Sequence, residues 1–304
     1  MQQEKPNGTE TNSRALTEAV LEKSPRDPLP LTVYYKEVLA KTLLQIAHTD
    51  EGTPLASRKK ARELAQKALK SLEKIGMPVH FHGFENGDDA FNQSTLIVMN
   101  HQAYGLEAIL AYAFLPLDTT IVLKDDLVHP PGSGILPIIG KIGNGFKSID
   151  PIIFKRTSNP RTFPWTTEQK QRDVAKGARK AAIRAIKSVK NGIARAAQSG
   201  HVCIFPEGTR SKDGSIHDFI RVFPRLINAA RTTHKNSISV ITCDTFPALP
   251  FSPEKKLTPK AYPVPIHFYL HTISIDDKTD KELSKEIHTL MESTLRTSLQ
   301  KRIS

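Results

Sequence analysis

The sequence predicts an α/β protein: a mixed, largely parallel β-sheet covered by helices, with an N-terminal helical unit. From about residue 77, short apolar runs alternate with amphipathic helical runs, which is typical of parallel strands joined by crossover helices. Before that point only helical periodicity is visible. The predicted organisation is a disordered tail over 1–27, a helical unit over 28–76 and an α/β domain over 77–304.

The helical unit is predicted from two amphipathic stretches. Apolar residues recur at three-and-four spacing over 31–49 and again over 57–76, where Gly76 is the predicted stop. The preceding MQQEKPNGTETNSRA lacks the apolar core of a secretory signal, so we expect a solvated tail and a cytoplasmic or stroma-like location. The most apolar window, 108–117, is shorter than the ~20 residues that span a bilayer, so no transmembrane helix is expected.

Apolar runs after residue 77 are the predicted strands of the sheet, and the amphipathic segments between them are the predicted helices. The predicted strands are STLIVMN (94–100), TTIVLK (119–124), DPIIFK (150–155), HVCIF (201–205), SISVITC (237–243) and PIHFYLHTI (265–273). The predicted helices are 105–115, 170–199, 219–233 and 279–300.

The positive net charge of the chain indicates which kinds of molecule it would bind. The chain has 43 Lys and Arg against 31 Asp and Glu, a formal net charge of +12. Such a chain attracts anions, including phosphorylated small molecules, nucleic acid and lipid headgroups. Nucleic acid is disfavoured because aromatic residues do not interleave with the basic runs. Cys203 and Cys243 lack metal-type spacing and are predicted to be buried, inert thiols, and the scattered histidines predict no metal site.

The segment VMNHQAYGLEA, residues 98–108, ends an apolar strand in Asn100 and His101 and leads into a helix. Open α/β sheets bind ligands at the carboxyl ends of their strands, which is where His101 would lie. Glu107 follows six positions later, close enough for a turn to bring its carboxylate to the imidazole. A histidine at such a position is also compatible with an ordinary surface residue.

A second segment, GSGILPIIGKIGNGFKSIDPIIFKR over 132–156, leads into a strand that ends in Lys155 and Arg156. Two cations at a strand end can bind an anion. A solvated strand end explains the same residues equally well.

The third segment, FPEGTRSKDG over 205–214, follows another predicted strand. Pro206 restricts φ and Gly208 permits a positive φ, so a compact turn is predicted. Such a turn places Glu207 and Arg210 at the same sheet edge as the histidine. The planar guanidinium suits a phosphate, and the carboxylate can orient it or bind a hydroxyl. An incidental surface ion pair is the alternative.

In their joint order these segments resemble the glycerolipid acyltransferases, the family of glycerol-3-phosphate and 1-acylglycerol-3-phosphate acyltransferases. FPEGTRS is similar to the family's substrate-binding block, NHQ (100–102) to the start of its catalytic block, and GILPIIG with FKR to its middle block. ISVITCDTFPALPFSP (238–253) resembles the fourth block of the soluble plastid-type glycerol-3-phosphate enzymes. The family's catalytic block has an aspartate five positions after the histidine, with four residues between them; this chain has Leu106 at that position, followed by Glu107.

The resemblance implies an O-acyltransferase of phospholipid biosynthesis that moves a fatty acyl group from acyl-CoA or acyl carrier protein to glycerol-3-phosphate or a lysophosphatidate-like acceptor. His101 would be the general base and Glu107 the carboxylate that orients it. No cofactor or metal is implied, because the acceptor hydroxyl is itself the nucleophile. The residues carried over for the acceptor phosphate are Arg210, Glu207, Gly208, Lys155 and Arg156.

Two questions stay open at this stage. Leu106 permits a catalytically degenerate protein of the same fold that binds a phosphorylated lipid or phosphate ligand. The acceptor, the acyl length and the donor carrier are not readable, although the plastid-like layout favours glycerol-3-phosphate. The basic stretch 170–199 offers a surface for an anionic donor, and a peripheral contact with an anionic membrane is a further hypothesis.

Overall fold

A computed structural model gives the structure of the chain. It describes residues 10–22, 29–30, 38, 41–47, 49, 51–102, 106–124, 152–154, 183, 186–198, 200–208, 211, 214–231, 235–245, 247–248 and 260–304. The strands are β1 Leu29–Pro30, β2 Val79–His82, β3 Ser94–Met99, β4 Thr119–Lys124, β5 Ile152–Phe154, β6 His201–Ile204, β7 Ser237–Asp244, β8 Lys260–Ala261 and β9 Ile266–Ser274. The helices are α1 Glu10–Glu22, α2 Lys41–Ala47, α3 Pro54–Lys74, α4 Leu106–Phe114, α5 over 186–198, α6 Phe223–Ala230 and α7 Asp280–Ile303.

The described strands form a seven-stranded sheet in the order β2-β9-β7-β3-β6-β4-β5, and β1 pairs separately with β8. Strands β7, β3, β6, β4 and β5 run parallel, whereas β9 is antiparallel to β7 and parallel to β2. The prediction of a mixed, largely parallel sheet is therefore confirmed. β3 and β7 are buried along their whole length, which accounts for the apolar run over 96–99 in β3.

The predicted tail over 1–27 is wrong for Glu10–Glu22, which form α1 and pack against α7. Thr17 and Val20 are buried there, and Leu16 packs against the same apolar cluster. The sequence obscured this helix because the segment is polar apart from a narrow apolar stripe. The segment forms a packed helix because that stripe covers part of the longest helix of the described chain.

The predicted helical unit and α/β domain share one hydrophobic cluster. This cluster contains Ala65 and Leu72 of α3 together with Ile97 of β3 and Leu110 of α4. Helix α3 ends as predicted near Gly76, whose φ of +81° is a conformation that glycine adopts without strain. In the described part of the chain, no helix is long and apolar enough to cross a membrane.

One polar face of α3 binds the carboxyl end of α4. The side chains of Arg58, Arg62 and Gln66, spaced by one helical turn, donate hydrogen bonds to carbonyl oxygens of residues 117, 115 and 113 at 2.5, 2.5 and 3.2 Å. The last carbonyls of a helix have no partner within the helix, and cations are favourable at that end of the dipole. Helix α3 thus contacts the carboxyl end of the helix whose first turn contains Glu107.

We expect Arg62→Met to lower the free energy of unfolding by about 1.5–3 kcal/mol, the usual contribution of a hydrogen bond to a charged group. The change leaves a carbonyl after α4 without this donor but retains most of the apolar stem. Urea titration followed by circular dichroism would measure the effect. Lys60→Met, at an exposed ion pair on the same helix, is the matched control. An equal effect of the two substitutions would contradict a capping role.

A buried ion pair joins the end of α7 to the end of β7. The guanidinium of Arg302 lies 3.4 Å from the fully buried carboxylate of Asp244, which also accepts a 2.6 Å hydrogen bond from Ser298. Tyr269 of β9 donates in turn to Ser298 at 2.9 Å. Burial raises the pKa of Asp244, and Arg302 and Ser298 oppose that rise. This network anchors the carboxyl end of β7, next to the candidate site.

His267 of β9 lies beside this network, and its Nδ1 is 3.1 Å from Nε2 of His82. Burial, together with the nearby Arg302, His80 and His82, lowers the pKa of His267 from 6.5 to about 3. The folded protein therefore holds this ring neutral at pH values where the unfolded chain protonates it, so stability falls as pH decreases from 6.5 towards 3. We expect His267→Gln to flatten the dependence of the melting temperature on pH in that interval. Parallel curves for the variant and the parent would contradict this assignment.

Candidate active site

Three neighbouring parallel strands end at one edge of the sheet. β3 lies between β6 and β7, so the segments that follow Met99, Ile204 and Asp244 meet there. His101 follows β3, and the FPEGTRS segment begins directly after β6. The structure thus places the histidine and the described part of this segment side by side, although they are more than 100 residues apart in the chain.

His101 and Glu107 are brought together by the start of α4. Nδ1 of His101 is 3.3 Å from Oε1 of Glu107, whose side chain is 2% exposed against 26% for the histidine. The distance is that of an ion pair, while the angle is not that of a formed hydrogen bond. Catalytic hydrogen bonds are often long before substrate binds, so the contact suits an orienting carboxylate. The same Oε1 accepts the N–H of Gln102 at 2.8 Å.

Leu106 is fully buried in the hydrophobic cluster beneath α4. Successive residues of a helix project about 100° apart, so a residue that faces the core cannot also face the histidine. The carboxylate beside the histidine is therefore that of Glu107, one position later than in the family pattern. It lies in the first turn of α4, where the helix dipole favours a negative charge.

Glu207 is buried, and its carboxylate contacts backbone groups. Oε1 accepts the N–H of His101 and Oε2 accepts the N–H of His217, each at 2.9 Å. The N–H of Ser211 donates to the carbonyl of His101 at 2.8 Å. Gly208 has φ of +65°, and a Cβ there would lie 2.8 Å from Cγ2 of Ile220, so both conformation and space favour glycine. The sequence predicted this turn but none of these backbone contacts.

Two buried amides on either side of His101 were not predicted from the sequence. Asn100 donates to the carbonyl of Cys243 at 3.0 Å and accepts its N–H at 2.6 Å. Gln102 donates to the carbonyl of Gly214 at 2.7 Å and accepts the N–H of Thr245 at 3.3 Å. The available signal was the position of two amide side chains within three residues of the end of an apolar run over 96–99, where a buried polar group requires hydrogen-bond partners.

The other predicted residues divide into two groups. Lys155, Arg156 and Arg210 lie outside the described residues. Cys203 and Cys243 are free and fully buried as predicted, and burial raises the pKa of both thiols. Among the residues that the structure describes, no three His, Cys, Asp or Glu side chains are arranged to hold a metal ion.

Comparison with known proteins identifies the family of the chain and a similar fold. The acyltransferase family model matches residues 78–244, more than half of the chain. The fold is similar to that of the 1-acyl-sn-glycerophosphate (LPA) acyltransferase PlsC from Thermotoga maritima, with a TM-score of 0.50 and 17% sequence identity over 95% of this chain and 97% of that one. No curated protein matches the chain at a significant level of sequence similarity. The chain belongs to the acyltransferase family, as the resemblance of its motifs predicted.

Proposed function

We propose that the protein is an O-acyltransferase of phospholipid biosynthesis that transfers a fatty acyl group from a thioester to the hydroxyl of a phosphorylated glycerol acceptor, either glycerol-3-phosphate or a lysophosphatidate. The observation that carries this proposal is the pairing of a partly exposed His101 with the buried Glu107 at the edge where the FPEGTRS segment begins. Family membership supports the class of reaction.

The geometry assigns a role to each nitrogen of the imidazole. Nδ1 faces Glu107, so Nε2 is the nitrogen that takes the acceptor's proton. The acceptor oxygen then attacks the thioester carbonyl, a C–O bond forms and the C–S bond breaks. The imidazolium returns its proton to the departing thiolate. Glu107 stabilises the imidazolium while it exists, and no covalent acyl-enzyme is formed.

The acceptor's phosphate is assigned to Arg210, with Lys155 and Arg156 as further cations, on the resemblance of their motifs. Support comes from chain connectivity. Arg210 directly precedes Ser211, whose N–H is bonded to the backbone of His101. A phosphate bound there would lie close to the base, as a three-carbon acceptor requires.

The donor is proposed to be acyl-CoA or an acylated carrier protein. Both are anionic, and exposed cations on α5 support a surface for either of them. These cations are Lys187, Lys190 and Arg195. The close approach of Glu107 to His101 argues against a purely binding protein, because the interpretation as a degenerate enzyme rested on Leu106.

The direct experiment incubates purified protein with each pairing of acyl-CoA or acyl carrier protein and glycerol-3-phosphate or lysophosphatidate. We expect lysophosphatidate or phosphatidate as the product, identified by mass spectrometry. On the plastid-like layout of the motifs, glycerol-3-phosphate should be the preferred acceptor. If folded protein gives no product with any pairing, the proposed function is wrong.

A further inference from the structure

We infer that Glu207 is a positioning residue that fixes the backbone of His101, rather than a ligand of the acceptor. The inference deepens the proposed function, and its kinetic consequences rest on that function. The contacts themselves concern the fold and can be tested without substrate.

Residue 101 is held at both of its backbone polar groups by the segment after β6. Its N–H donates to Oε1 of Glu207 at 2.9 Å, and its carbonyl accepts the N–H of Ser211 at 2.8 Å. Two hydrogen bonds on opposite sides of one residue restrict both its translation and its rotation. The imidazole can then change position mainly through its own side-chain torsions.

The second carboxylate oxygen of Glu207 forms a hydrogen bond within the segment that follows β6. Oε2 of Glu207 accepts the N–H of His217, ten residues further along the chain. Ser211 Oγ accepts the N–H of Gly214 at 2.9 Å, and the Gly214 carbonyl is bound by Gln102. The segment after β6 is therefore bonded to the residues that follow β3 at two places, through Glu207 to His101 and through Gly214 to Gln102. The two carboxylate oxygens each accept a different N–H group, and a neutral amide in the same orientation could accept only one of them, because its other terminal atom is a donor nitrogen.

After β3, two consecutive backbone N–H groups donate hydrogen bonds to two different carboxylates. The N–H of His101 binds Glu207, and the N–H of Gln102 binds Glu107. Both carboxylates are buried, and a buried charge is tolerated when it accepts charge-assisted hydrogen bonds of this kind. Their contacts nevertheless differ. Glu107 also faces the imidazole of His101, whereas Glu207 accepts backbone N–H groups at both of its oxygens.

Glu207→Gln tests the assignment, because the substitution preserves shape but replaces one acceptor oxygen with an amide donor. We expect kcat to fall by about 10²-fold, the effect of an ångström-scale displacement of a catalytic group. The KM for the acceptor should change much less. Amide hydrogen exchange at residues 101 or 217 should accelerate at least about tenfold as one hydrogen bond is lost. Glu85→Gln is the matched control, since that exposed carboxylate accepts the N–H of Gly83.

A raised acceptor KM at unchanged kcat would identify Glu207 as a substrate ligand and overturn the inference, as would unchanged exchange at both residues 101 and 217. If Glu207→Gln does not fold, Glu207→Asp retains both oxygens on a shorter side chain. Faster exchange at residue 101 in this variant supports the assignment, and exchange like that of the parent overturns it. Because exchange requires no substrate, an inactive parent protein would refute the proposed function while leaving this test intact.

Discussion

Replacing His101 by alanine is expected to lower kcat for acyl transfer by about 10²- to 10⁴-fold, the usual contribution of a positioned general base. The acceptor hydroxyl would then have to lose its proton to water. Binding of glycerol-3-phosphate should persist, because the groups assigned to its phosphate are retained. Initial rates of product formation and calorimetric titration with glycerol-3-phosphate measure the two quantities separately.

His80→Ala is the control for this substitution, since His80 lies on β2 at the outer edge of the sheet. It should retain the kcat of the parent protein. Near-parental kcat in His101→Ala would mean that another group takes the proton, and the proposed mechanism would be wrong.

Glu107→Gln is expected to reduce kcat by about 10² to 10⁴, because loss of an orienting carboxylate in an equivalent histidine pair costs up to ~10⁴. The glutamine fills the same volume and can still accept the N–H of Gln102, so the fold should persist. The negative charge that stabilises the imidazolium is lost. Steady-state kinetics together with a thermal melt distinguish this result from unfolding.

Exchanging the apolar and the acidic residue at positions 106 and 107 tests whether the carboxylate must be at position 107. The double variant Leu106→Asp/Glu107→Leu restores the family spacing, yet we expect it to lose both activity and stability relative to the parent protein. Residue 106 faces the apolar cluster, so the new carboxylate would be buried there without a partner. Recovery of activity in a folded double variant would show that the start of α4 can rotate, contrary to the geometry described here.

Much of the fold was predictable because its strands are strongly patterned. β4 coincides with the predicted 119–124, and β3, β6, β7 and β9 differ from prediction by one residue at one or both ends. β2 was missed because histidines at 80 and 82 interrupt its apolar pattern, and in the sheet these residues occupy its more exposed face. Helix α1 was missed because its stability depends on packing against α7, which is distant in the chain.

The proximity of Glu107 to His101 was predictable because this contact is local in the chain. Glu107 follows His101 by six residues, and the start of one helix is enough to bring them within 3.3 Å. The role inferred for Glu207 could not be found in the same way, because its partners include the backbone N–H of His101, which comes close only through the pairing of β3 with β6. Backbone donors are identical at every residue other than proline, so no sequence pattern marks them.

By itself, the amino-acid sequence determined the alternation of strands and helices, the family and the residue types available for acid–base chemistry, because these depend on periodicity and on short motifs. Only the tertiary structure decided that Leu106 packs in the core while Glu107 faces His101, and that Glu207 accepts the backbone N–H of the histidine. The direction of a side chain around a helix, and the backbone groups that it meets across a sheet, are set by packing between distant segments.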